Sequence, residues 1–148
     1  MITRLDYFTA QDGTRRDIHY SNDMTPAIEA SAKVTVSKSN LLLAWFREST
    51  GDTAQRKVNS GWRPPSVNAS TKGASPTSKH MNGEAIDIGD ADGKLDEWLL
   101  TEVGTAALIE LGLWHEHPLT SKGEPSTPKW AHWQTVPPKS GSRHFYAK

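Results

Sequence analysis

Ser78-Lys79-His80-Met81-Asn82-Gly83-Glu84-Ala85-Ile86-Asp87-Ile88-Gly89-Asp90 is the stretch on which the reading of this chain turns. His80 and Asp87 carry the nitrogen and oxygen donors that a divalent metal such as zinc accepts. Ligands on one helical face would stand three or four residues apart. The wider spacing here suits a loop that delivers His80 and then runs into a short strand. On such a strand Glu84, Ile86 and Ile88 share one face, and Ala85 and Asp87 the other. Asp87 then projects beside a residue too small to fill the space above it, and that space suits a metal. A third donor is expected from Trp130-Ala131-His132-Trp133-Gln134, where a histidine stands among aromatic and apolar residues, as on a half-buried strand. Three protein ligands with a fourth position left open define a catalytic zinc centre rather than a structural one.

Taken together, Ser78-x-His80-x-x-Gly83-x-Ala85-x-Asp87 and Trp130-x-His132 resemble the zinc D-Ala-D-Ala peptidases of the hedgehog/DD-peptidase fold. That family includes D-alanyl-D-alanine carboxypeptidases, vancomycin-resistance dipeptidases and phage L-alanyl-D-glutamate endolysins. The likeness runs from about residue 59 to 134. Asn59-Ser60-Gly61-Trp62-Arg63 resembles the family's Ser-Gly-Tyr-Arg element, whose arginine faces the substrate. More loosely, Pro137-Pro138 and Ser140-Gly141-Ser142-Arg143 resemble phage-encoded members. The resemblance implies an α+β fold in which helices pack on a small antiparallel sheet. It also implies one zinc ion per chain, and a substrate among the stem peptides of peptidoglycan.

Composition bounds the reading from outside. A chain of 148 residues is the usual size of one domain, and residues 1–148 are read as a single peptidase domain. The 17 basic and 17 acidic residues cancel, so there is no overall electrostatic case for a nucleic-acid or membrane partner. A monomer is expected. Without cysteine there are no disulfides or thiolate ligands. No apolar run is long enough to span a bilayer, and the first residues lack the apolar core of a signal peptide. The expectation is synthesis in the cytoplasm and action on the wall after release or delivery. Four of the six tryptophans, Trp62, Trp114, Trp130 and Trp133, flank the motifs; they either pack the core or wall a cleft.

Residues 1–24 are polar and weakly patterned and read as an extended arm, with His19 on its surface. Thr25-Pro26 is an N-cap followed by proline at the first helical position. From there Ile28, Ala32, Val36, Leu43 and Phe46, with Ser39 admitted to the stripe, predict a helix over 26–47. Lys33-Val34-Thr35-Val36 is β-branched and pulls locally toward a strand. A strand is expected over 58–62, ended by Pro64-Pro65, and a loop over 66–79. Asp90-Ala91-Asp92-Gly93 invites comparison with a calcium loop. With Gly93 at the sixth position, however, Ile88 and Leu99 fall where acids are required, so a turn that caps the next helix is expected instead. That helix is predicted over 95–111, with Leu100, Val103, Ala107 and Leu111 on one stripe and Gly112 ending it. Strands over 113–117 and 130–136 are expected to pair as a hairpin. Residues 137–148 form a basic tail across the surface.

The chemistry needs a base beside the metal. The resembled family commonly has an acid three residues before the last histidine, where this chain has Lys129. Glu116 is the nearest replacement, with His117 or His115 as alternatives. On a strand the two histidines face away from the glutamate, and they would otherwise form a solvated edge. Arg63 is the candidate for holding a peptide carboxylate or carbonyl oxygen. Ser78 either bonds substrate or braces the His80 loop, and Asn68 is a candidate of the same kind. His144 is read as a tail residue without a role. Two other readings share these residues. Non-haem iron oxygenases also use two histidines and a carboxylate, but usually in a tight His-x-Asp/Glu pair. The hedgehog relatives imply a non-catalytic zinc-containing module that binds the wall or serves a structural role.

Overall fold

The structure is a computed structural model and describes residues 1–147. Its centre is a five-stranded sheet in the order β1-β2-β4-β3-β5. The strands are β1 (Val58–Ser60), β2 (Ala85–Gly89), β3 (Trp114–Glu116), β4 (Trp130–Gln134) and β5 (His144–Phe145). Three of the four pairings are antiparallel, and β3 with β4 forms the expected pairing. The outermost pair, β3 with β5, is parallel. The fold is α+β as expected, but the sheet is mixed. The tail expected over 137–148 supplies its edge strand.

One face of the sheet is the core. Ile86, Ile88, Ala131 and Trp133 are fully buried there, with Leu42, Leu43 and Phe46 of α3 (Pro26–Thr50), Leu95 and Leu99 of α5 (Lys94–Leu99), and Ala107 and Leu108 of α6 (Glu102–Leu111). The α3 helix starts where its sequence says it should: the Thr25 hydroxyl accepts from the Ile28 amide, and Pro26 opens the first turn. Its β-branched stretch stays helical because tertiary partners outweigh a weak local preference. The Thr35 hydroxyl donates to the carbonyls of Ser31 and Gly83, and Trp133 Nε1 donates to buried Ser39.

Three expectations change. The first residues are not an extended arm. They form α1 (Arg4–Phe8), opened by a reciprocal Thr3–Asp6 cap, then α2 (Arg16–His19) and a 3₁₀ turn at Ser21–Asp23. Tyr7 and Phe8 are buried in the core. The single helix over 95–111 is two, because the Thr101 hydroxyl caps a new start by accepting from the Gly104 amide. The break turns Leu100 and Val103 out to solvent. Within 66–79 the chain forms α4 (Pro65–Ser70), so Pro64-Pro65 opens a helix as well as ending β1. The turn before α5 behaves as read: Asp90 accepts from the Leu95 and Asp96 amides, and buried Arg56 pairs with Asp52, Asp90 and Asp92. No helix among the described residues is long and apolar enough to cross a membrane.

Candidate metal centre

His80 lies on a 3₁₀ turn, Lys79–Asn82, whose first amides are capped by Ser78: its Oγ accepts from the His80 amide at 3.3 Å. Gly83 ends the turn with φ 75°, and a Cβ there would stand 2.8 Å from the Ile28 carbonyl. Only glycine combines that dihedral with so close an approach to α3. The turn is thereby pressed onto the helix. His80 Nδ1 donates to the Gly61 carbonyl at 2.7 Å, which leaves Nε2 facing Asp87 Oδ1 at 3.3 Å. Gly61 is itself fixed from behind, since a Cβ on it would lie 2.0 Å from the Tyr7 carbonyl.

Asp87 and His132 are directly paired residues on β2 and β4 and so share a face. His132 Nδ1 lies 2.7 Å from Asp87 Oδ1, and Nε2 lies 3.4 Å from Gln134 Oε1. One donor atom from each of His80, Asp87 and His132 lies within 4.8 Å of the other two. Burial alone would raise the Asp87 carboxyl, but the two imidazoles outweigh it and hold the group well below the usual carboxylate range. Burial pushes His80 below its ordinary value. Burial also opposes charge on His132, yet Asp87 raises it.

The donor set fits a zinc ion. It offers two imidazole nitrogens and an ionised carboxylate. One ring is locked by a backbone carbonyl into the tautomer that frees its other nitrogen, the outer-shell arrangement usual for metal-ligating histidine. The proton favoured on His132 is the one a metal would displace.

The other candidates fall around this cluster. The register Trp114↔Gln134 and His115↔Trp133, continued by one residue, sets Glu116 opposite His132 on the same face. Its charge contributes to raising His132, and Ser126 Oγ donates to Glu116 Oε2 at 2.8 Å. Phe145, paired with Glu116 from β5, stands edge-on to the His132 ring at 6.1 Å. Arg63 is half-buried on the β1 side. Its amide donates to the His80 carbonyl, Nη2 donates to Ser78 Oγ at 3.0 Å, and Nε is buried without an acceptor among the described residues. Burial lowers its pKa, against the attraction of Asp87. Ser78 therefore braces the His80 turn and Arg63 together. Asn68 is buried and ties down the following loop by donating to the Ser75 carbonyl, while its buried Oδ1 has no donor among the described residues.

His115 and His117 do not form a solvated edge. His115 is fully buried on the opposite, core face. Its Nε2 lies 2.7 Å from Asp96 Oδ1 and its Nδ1 2.9 Å from His144 Nδ1, and His144 Nε2 continues to Thr105 at 2.9 Å. His144 is thus half-buried and bonded to the core histidine rather than idle in a tail. His117, at the strand's end, stacks on Tyr146 and accepts from the Leu119 amide. Lys129 is exposed, at the turn into β4, and is the only non-glycine residue with positive φ among the described residues. Of the tryptophans flanking the motifs, Trp62 and Trp133 are core, while Trp114 and Trp130 are half-buried. Gln134 and Phe145 are site neighbours that the sequence reading missed. The signal for Gln134 was its place two residues from His132, on the same face of a strand.

A family model described as peptidase M15 matches residues 17–113, more than half of the chain. The chain belongs to the peptidase M15 family. M15 members are zinc-dependent peptidases, so this M15 chain is a zinc metallopeptidase by family, and its His80–Asp87–His132 group could hold a metal ion. The matched residues include His80, Asp87 and Arg63; Glu116 and His132 lie beyond them, on β3 and β4, where the sheet sets them beside Asp87. No curated protein and no solved structure matches the chain.

Proposed function

We propose that this M15 peptidase hydrolyses stem peptides of bacterial peptidoglycan as a D-Ala-D-Ala carboxypeptidase or endopeptidase, working as a monomer with one zinc ion per chain. The observation that carries the reading is the row across the sheet in which Glu116 lies beside the His80–Asp87–His132 cluster, with Arg63 on the opposite flank. Bound zinc supplies a Lewis acid that polarises a carbonyl and acidifies water. Glu116 acts as the base, taking the proton that water gives up and passing it to the departing amine. Ser126 holds one of its oxygens and leaves the other without a protein donor among the described residues. Arg63 orients the substrate: its half-buried guanidinium, steadied through Nη2 by Ser78, suits a hydrogen-bonded ion pair with a peptide carboxylate or a hydrogen bond to a carbonyl. Asn68 supports that flank by tying down the loop that follows it.

The C-terminal likeness to phage-encoded members favours a phage or prophage wall-lysis enzyme that reaches its substrate after release from the cytoplasm. Mass spectrometry of fragments released from defined muropeptides by the zinc-loaded protein is the test. His80→Ala is expected to abolish both zinc retention and fragment release, and undiminished cleavage in that variant would rule the reading out. A zinc-loaded wild type that binds wall but cuts no fragment would instead favour a non-catalytic module.

A further inference from the structure

The face that carries the metal ligands continues past them toward β5, and what lies there has no part in holding zinc. Trp114 is the Cα partner of Gln134, whose side chain reaches His132, so the Trp114 ring belongs to the same face as the cluster. The Arg143 guanidinium lies over that ring, 4.4 Å from its centroid. Arg143 Nη1 donates to the Leu113 carbonyl at 2.8 Å, and no carboxylate pairs with Arg143 among the described residues. A half-buried guanidinium stacked on an indole keeps its fork in one orientation and can give its remaining N–H groups to a planar anion.

Its position relative to the cluster matters most. The sheet order puts β1, which Arg63 follows in the chain, at one edge and β5, which Arg143 immediately precedes, at the other, with the ligand-bearing strands β2 and β4 between them. Two strand spacings separate β4 from β5, about 10 Å, which an extended peptide covers in about three residues. Phe145 lies in the row across the sheet that holds His132 and Glu116, and the Trp114–Arg143 pair lies in the next row, beside Gln134; a peptide crossing the sheet obliquely from the scissile bond would pass over that pair.

We propose that Arg143, seated on Trp114, is a specificity residue that receives a free carboxylate of the bound peptide about three residues from the scissile bond, on the side opposite Arg63. This rests on the wall-peptide reading above and sharpens it: the substrate is an acidic peptide that spans the cleft. Stem peptides with a γ-linked glutamate, whose α-carboxylate stays free, have the required chemistry.

The test uses two synthetic peptides identical except that this carboxylate is free in one and amidated in the other. The zinc-loaded wild type should cleave the acid about tenfold more efficiently in kcat/KM, with the difference in KM. Arg143→Gln should bring the acid down to the level of the amide. Arg143→Lys, which keeps the charge but loses the fork, should shrink the ratio by about threefold, and it serves if Arg143→Gln fails to fold. Equal cleavage of both peptides by the wild type, or a preference that survives both substitutions, would overturn the proposal and leave the peptidase reading standing. Cleavage of neither peptide would overturn both.

Discussion

Two histidine–carboxylate clusters sit back to back on one sheet, and they are built for opposite ends. On the open face His80, Asp87 and His132 converge, each offering a donor atom to one shared space. On the core face Asp96, His115, His144 and Thr105 form a line, each atom already spent on its neighbour. Residue types are the same in both. Strand alternation decides which is which: Glu116 and His132 point one way, His115 and Trp133 the other. Convergent donors with a shared space can take a cation. Donors consumed in series can only tie elements together, here α5, β3, β5 and α6.

Substitution should separate the two. The largest effect is expected from His80→Ala, which should lose zinc on metal analysis and cut kcat/KM on wall peptides by at least about 10³-fold, with a far smaller change in the unfolding midpoint. Next comes Glu116→Gln, expected to lower kcat by about 10²–10⁴-fold while zinc content stays at one per chain. A variant that also lost zinc would make Glu116 a ligand rather than the base. The core face should respond in reverse: His115→Ala leaves the buried Asp96 Oδ1 without its partner at 2.7 Å, costing about 3 kcal/mol in urea unfolding, yet should retain zinc.

The smallest effect is the pH dependence of the wild type. Burial raises Asp96 to about 7, and burial lowers His115 to about 3. Between their ordinary values of 3.8 and 6.5 the unfolded pair holds one proton, on histidine, and the folded pair also holds one, on aspartate. Equal proton counts give no slope of stability with pH. Below 3.8 the unfolded pair gains a second proton first, so stability is lost as pH falls toward 3. His115→Phe removes one partner and exposes the other's linkage. Relative to wild type, its stability should fall as pH rises from about 4 to about 7, by up to about 1.4 kcal/mol per pH unit. Parallel curves for the two proteins from urea titrations at several pH values would show that the shared proton does not exist.

The open face was legible because its chemistry is local. His80 and Asp87 stand in one short stretch, and Trp130-x-His132 names its partner strand. The α3 helix was legible for the same reason, with its cap, proline and stripe in one run. The core face was not. Leu113 and His115 share a phase on β3, so a buried Leu113 implied a buried His115, but nothing local announced Asp96 or His144 as its partners. The two-residue strand β5 has no periodicity to read, and its parallel pairing is a long-range event. The α1 helix is too short for a hydrophobic stripe, though Thr3-x-x-Asp6 was a capping signal that went unused. The break at Thr101 lay inside an unbroken apolar pattern, where a cap loses to periodicity on paper and wins in the fold.

Tyr7 gives the centre a second point of vulnerability. It receives the Trp62 amide on its carbonyl, donates its hydroxyl to Ala85 and lies against Gly61, the residue that orients His80. The active site therefore has a rear wall made from the first turn of the polypeptide. Limited proteolysis that strips away residues 1–9 should release zinc from a molecule whose three ligands are all still present, disarming the peptidase without anything entering its cleft.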